Sequence, residues 1–598
     1  MLPGAWGLQA EYHLWMNIAI RLLAVCGLTA CMHHGGGDDT TNATLAIDPP
    51  TSELVILNGV PAHATFTATL TLANGAKRDV TADTLFAIDG NYGTFIANDL
   101  AIAVGGKLQV AGTYADKTGT AEVIARVKSV RVDPALPPGT VGLFDGPDNP
   151  ALAPRIVYPP ADTVMPRNLG DFEIHWTDAH ANNVFEVSLH TEFSDVTVYV
   201  RGHNGLASAG AGASWSAFEA TEWMSAVGTE KSVTYQVRGA NTAMPGSVGA
   251  APPQTAQLSN EEMAGGLYYW ASASTTKVIG VFRHDMSKPG QPAEEFLTSN
   301  QTGGRCVACH VLSRDGTRMA ITYDGGNDPA TMVDVATATV APTVASWNFG
   351  TFTPDNAQFL GVEDGTLVVR DGRTQALLAT MRADTAVSHP DLSPDGTKLV
   401  YVTNPDGFHD WEFINGQIFT RTYNQATRTF GPEQPLVDDG KNNFYPSWSP
   451  DGNWILFNKD VSGGNTYDDA NSSTWVVKAD GSKPPVQLAS ADESLGLTNS
   501  WARWAPFPQT AGPAFEPMFW ITMASKRDFG VRLRNTGLFQ RPAFGTPAKT
   551  SQLWMTPFFP DRATDGHDPS TKAFRLPFQN LDSSNHIAQW TERVVVIE

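Results

Sequence analysis

Ser393-Pro-Asp-Gly396 runs into Leu399-Val-Tyr-Val402, and Ser449-Pro-Asp-Gly452 runs into Ile455-Leu-Phe457. The same arrangement stands upstream, with Ser313-Arg-Asp-Gly316 before Met319-Ala-Ile-Thr-Tyr323 and Thr353-Pro-Asp-Asn356 before Phe359-Leu-Gly361. Successive starts are 40, 40 and 56 residues apart. Asp-Gly makes a tight turn between two antiparallel strands, because a positive φ costs little where there is no Cβ. A period near forty residues holds one four-stranded unit, and such a unit cannot bury both faces alone, so units must stack into a closed ring.

Two fainter units extend the array. Arg503-Trp-Ala-Pro506 echoes Ser447-Trp-Ser-Pro450 and is followed by Phe519-Trp-Ile-Thr-Met-Ala-Ser525. A sixth can be assembled from both ends of the region: Asn585-His-Ile-Ala-Gln-Trp590 as the inner strand, with Leu267-Tyr-Tyr-Trp270 and Val278-Ile-Gly-Val-Phe282 outside it. Closure of this kind leaves no exposed sheet edge. The expected fold is all-β, two N-terminal β-sandwiches followed by a six-bladed β-propeller over 265–598, with seven blades as the alternative. The Ser-Pro-Asp-Gly repeats resemble those of the TolB-like propeller family, a resemblance that implies a bacterial envelope protein binding a partner at the propeller rim.

Composition agrees with many short strands. The 598 residues include 54 Gly, 40 Pro and 10% aromatic residues but only 17% charged ones, and the length suggests three or four domains. The formal charge of -21 repels phosphate backbones, so nucleic acid is not an expected partner.

The N-terminus indicates the compartment. From Met16 the chain reads MNIAIRLLAVCGLTAC, a short apolar run with one basic residue, Arg21. That is too short for a permanent membrane helix and is read as a secretory signal over 1–31. Glu11 and the lack of Lys or Arg before Met16 suggest that translation starts at Met16. Leu28-Thr-Ala-Cys31 resembles the bacterial lipobox, which implies lipidation of Cys31 and a membrane anchor, with placement at the outer membrane, facing the periplasm or the surface, expected from the same resemblance. An ordinary cleaved signal with an incidental cysteine is the alternative. Residues 32–44 suit a flexible tether.

Residues 45–132 alternate apolar and polar positions, as in Ala64-Thr-Phe-Thr-Ala-Thr-Leu-Thr-Leu72, and read as a small β-sandwich. The pattern resembles bacterial immunoglobulin-like domains. A Pro- and Gly-rich linker is expected at 133–154, then a second sandwich over 155–258 that resembles a fibronectin type III module. Its histidines at 175, 180, 190 and 203 share no metal-ligand spacing.

With Cys26 inside the signal and Cys31 lipidated, Cys306 and Cys309 are the remaining cysteines, and they form Cys306-Val-Ala-Cys-His310. Two thiols followed at once by a histidine is the order of c-type haem attachment, in which the thiols hold the haem vinyl groups and the imidazole binds iron. A short disulfide or thiol pair, or half of a metal site, are the alternatives. The strand position is unusual, since CxxCH normally lies on a helix. In each inner strand the residue four places before the turn Ser or Thr should line one rim of the channel. Those are Cys309, Phe349, His389 and Tyr445, with Trp501 and His586 by the fainter echoes. His586 and His389 are the candidates for the second iron ligand; His409 is a weaker loop candidate, and Met319 reads as core.

Two functions follow. One is a haem c protein of the envelope that moves electrons or binds a small ligand at iron, with a redox or envelope protein as partner. The other is a non-enzymatic scaffold offering exposed aromatics at Trp501, Trp504 and Trp554 to a protein or glycan. No nucleophile elbow, metalloprotease helix or phosphate loop is present to support hydrolase chemistry.

Overall fold

The computed structural model describes residues 40 and 42–595, except 91, 203–211, 274–277, 326–327, 344, 382, 384, 405–408, 467 and 534–549. The signal, lipobox and most of the tether, including Cys31, lie outside the described residues, as does His203. Among the described residues no helix is long and apolar enough to cross a membrane.

Alternation becomes burial directly in the first module. Strand Gly106–Tyr114 turns Leu108 and Val110 inward and the residues between them outward, as the two-residue period requires. The following strand, Lys117–Val132, does two jobs. Its first part pairs antiparallel with Gly106–Tyr114, and its last six residues pair parallel with strand Ser194–Arg201, from Val127 opposite Ser194 to Val132 opposite Tyr199. The two N-terminal modules therefore share one ten-stranded sheet. The linker segment is packed down as well. Phe144 is buried against the Tyr199 ring at 5.4 Å, and Arg238 donates to the Phe144 carbonyl at 3.0 Å and to Asp148 at 2.7 Å.

The second module holds one helix beyond the sandwich expectation, Ala220–Val227. Glu219 and Glu222 form a capping box at its start, and Trp223 stacks on Phe172 at 4.3 Å. This module is fastened to the propeller. Tyr158 Oη accepts the Arg575 backbone N–H at 3.1 Å, Arg532 pairs with Glu173 at 2.5 Å, and His175 Nδ1 accepts the Val531 N–H at 3.3 Å.

Residues 266–591 form six sheets of four strands, one of them with an extra short strand. Their innermost strands are Val307–Leu312, Gly350–Phe352, Ala386–Leu392, Asn442–Trp448, Ser500–Ala511 and Ser583–Thr591, which we number blades 1 to 6. Each touches the next, and the last touches the first, so the ring is closed. The closing sheet joins Ser583–Thr591 to Gly266–Ala273, Ile279–Asp285 and Glu294–Thr298.

The repeated turn has a common physical basis. Ser393 Oγ donates to Asp395 and accepts the Lys398 N–H at 2.9 Å, while Asp395 also accepts the Thr397 N–H at 3.0 Å. Ser313 with Asp315, Thr353 with Asp355 and Ser449 with Asp451 repeat the arrangement. Gly316, Gly396 and Gly452 take φ between 70° and 74°, and Asn356 takes 58°. Asp here is a turn former, fixing the loop by side-chain to backbone bonds. Blade 5 lacks the motif and continues its strand to Ala511, where Thr510 and Gln509 dock on Glu261 and Glu262.

Candidate functional site at the channel

Five of the six innermost strands carry the same irregularity. Ser388 pairs with Val402 and Asp391 with Val400, so His389 and Pro390 together oppose the single residue between. Matching bulges occur at Tyr445, at Trp501 and at Ile587, and one stands at Ala308 and Cys309. His389, Tyr445, Trp501 and Ile587 share a left-handed φ of 46° to 55°. An extra residue turns its side chain off the regular pleat, and here it aims them into the channel.

A cavity of about 70 Å³ lies there, lined by Cys309, His310, Phe349, Thr351, His389, Asp391, Trp501, Arg503 and Ile587 among others. The repeat thus brings Cys309, Phe349, His389 and Trp501 together, as expected. His586 requires correction. The equivalent position is Ile587, one residue on, while His586 pairs across the strands with Trp270 and packs on its ring at 4.6 Å. The echo misled by one residue because Gln589-Trp590-Thr591 has no Pro or Gly to set the register. Burial, with the charges of Lys526 and His310 nearby, lowers the His586 pKa to about 3.

His389 is corrected in its role. Its ring lies against Phe349 at 4.2 Å and Tyr445 at 4.3 Å, and Nδ1 accepts the Tyr445 N–H at 3.3 Å. Nε2 then carries the proton, so this atom is a donor and not a free lone pair for iron. It is buried and has no partner.

Cys306 precedes strand Val307–Leu312 and Cys309 lies within it; both are half-buried and unbonded to each other. Burial raises the Cys306 thiol pKa and pushes that of Cys309 up to about 12, where Asp410 and Cys306 add to the effect. His310 is 2% exposed, with neither ring nitrogen hydrogen-bonded. Burial depresses its pKa to about 4, the nearby Ala308 and Tyr268 carbonyls opposing this. Among the described residues no group of three or more His, Cys, Asp or Glu is placed to hold a metal ion.

Other expectations also meet the structure here. Trp501, Trp504 and Trp554 are buried rather than exposed, so they offer no docking surface. Met319 is core, and His409 is an exposed residue beside Trp411. Arg503 and Asp391, which the repeat reading passed over, also face the channel. Their signal was present: Arg503 stands two residues after a ring position, and so does Asp391.

No protein-family model and no curated protein matches the chain. Among solved structures, hydrazine synthase of Kuenenia stuttgartiensis is similar over 46% of this chain and 67% of its own, at 16% identity and a TM-score of 0.30. TolB of Acinetobacter baumannii is similar over 60% and 79%, at 13% identity and TM-score 0.36. The dihydro-haem d1 dehydrogenase NirN is similar over 49% and 58%, at 13% identity and TM-score 0.28. The likeness is one of fold. The propeller described above rests on its own strand order.

Proposed function

We propose that this chain is a cell-envelope protein whose propeller carries covalent haem c, with Cys306 and Cys309 as thioether anchors and His310 as an iron ligand. The observation that carries the reading is His310, an imidazole removed from water with both nitrogens unpartnered, directly after two unbonded thiols. Leaving a buried polar atom unsatisfied costs about 1–3 kcal/mol, a cost that iron bound at an imidazole nitrogen would remove. Haem, when bound, would supply a redox centre or a site for a small ligand at iron. The protein's part is to hold Cys309 and the His310 imidazole on one strand of the ring, with Cys306 immediately before that strand.

The channel cavity of about 70 Å³ is far below the several hundred Å³ of a cofactor pocket. This observation favours a second reading, a non-enzymatic propeller scaffold with structural thiols. The experiment that separates them is haem staining after denaturing electrophoresis, with the chain made alongside the c-type maturation machinery. Stain that survives denaturation in the parent and vanishes in Cys306→Ser with Cys309→Ser supports the haem reading; no stain in the parent leaves the scaffold. Envelope placement rests on Cys31: Cys31→Ser is expected to release the protein from the membrane fraction, since stable anchoring needs the acyl chains.

A further inference from the structure

Two donors on the channel wall have N–H groups without partners. Arg503 Nη1 donates to the Ala502 carbonyl at 2.9 Å and the Tyr445 carbonyl at 3.4 Å, and the other guanidinium N–H groups make no hydrogen bond and no ion pair among the described residues. Arg503 is partly accessible, and what it faces is the cavity. His389, 4% exposed, adds an unpartnered Nε2–H. The one carboxylate on the wall, Asp391, is already engaged, with Oδ1 accepting from Thr351 Oγ1 at 3.2 Å and Oδ2 from the Trp448 N–H at 2.8 Å. Asp391, on the same wall, is the nearby opposite charge but makes no ion pair with the guanidinium, so the planar fork keeps N–H groups free to match two oxygens of one anion.

We propose that the propeller channel is a binding site for a small monovalent oxyanion, held by Arg503 with His389 as the second donor. Size and charge narrow the class. About 70 Å³ is roughly the volume of two waters, enough for three or four non-hydrogen atoms such as formate, nitrite or nitrate. Asp391 leaves a negative charge on the wall, which disfavours dianions such as sulfate. Phe349 and Trp501 close the sides with apolar surface. Cys309 and His310 line the same cavity, so the site belongs to the chain before haem attachment, and its test uses protein made without the maturation machinery.

Calorimetric titration of the full chain with sodium formate and with sodium nitrate, at constant ionic strength, tests this. Saturable one-to-one binding is expected, with sulfate giving none. Arg503→Met should weaken it at least tenfold and His389→Phe severalfold, while His284→Phe, outside the cavity lining, should bind like the parent. Absence of saturable binding by either anion, or unchanged affinity in the variants, overturns the proposal. Should Arg503→Met fail to fold, as read by circular dichroism, His389→Phe decides alone. Failure of haem attachment with anion binding intact would reject the haem reading and leave this one standing.

Discussion

His389 Nδ1 accepts the backbone N–H of Tyr445 at 3.3 Å, a bond from blade 3 to blade 4. That bond fixes the tautomer, and burial together with the Arg503 charge holds the pKa well below its usual 6.5. His389 is therefore neutral, with its proton on Nε2. Nitrogen NMR of histidine-labelled protein should show a pyridine-type Nδ1 and a pyrrole-type Nε2, unchanged between pH 7 and pH 5. A resonance that titrates in that interval would show that the ring is not held this way.

The turn motif makes a prediction about stability. Ser393→Ala removes the donor to Asp395 and the acceptor of the Lys398 N–H, which should cost about 1–3 kcal/mol. Gly396→Ala should cost more than about 1 kcal/mol, because φ is +71° and the new Cβ would stand 2.8 Å from Pro354 Cδ. Chemical denaturation of each variant checks both; a neutral Gly396→Ala would mean that the turn can relax.

Those turns are also where the fold was most legible. Ser, Asp and Gly act within five residues, so the motif states its own geometry. Where structure depends on distant pairing, sequence said less. Nothing local in Val127–Val132 announces a parallel partner at Ser194–Tyr199. The last blade slipped by one residue because Ile587 occupies the ring position without a turn motif to mark it. Trp501, Trp504 and Trp554 were misplaced for a different reason: a ring of six blades buries the aromatics that a single blade would expose.

Closure can be tested by shortening the chain. Truncation after residue 580 removes Ser583–Thr591, stripping the partner from strand Gly266–Ala273 and contacts from the innermost strands of blades 1 and 5. An open array exposes two edges and apolar faces. Limited proteolysis should cut the truncated propeller far faster than the parent. Equal resistance would show that the ring holds without its closing strand.

His284 gives the protein an acid-sensitive element. It lies flat on Phe578 at 4.0 Å, and burial lowers its pKa from 6.5 to about 4. Because the folded value is below the unfolded one, the unfolded chain binds the extra proton. Stability from this group is whole above pH 6.5 and falls as pH drops toward 4, by about 3 kcal/mol. Asp410 and Asp492, raised by burial to about 6, act in the opposite sense below pH 6. They are common to parent and variant, so the difference isolates the histidine. Denaturation of His284→Phe at pH 7 and pH 4 should show a smaller loss than the parent by about that amount; an identical loss would place the acid sensitivity elsewhere.

The central claim is the use to which Cys306, Cys309 and His310 are put. Intact mass of the mature protein, made with c-type maturation machinery and measured after denaturation, tests it most directly. The account predicts a mass increase of one haem that disappears when Cys306 and Cys309 are both replaced by Ser and persists in His389→Ala. A parent protein of unmodified mass, with a known cytochrome c matured in the same cells, would contradict it.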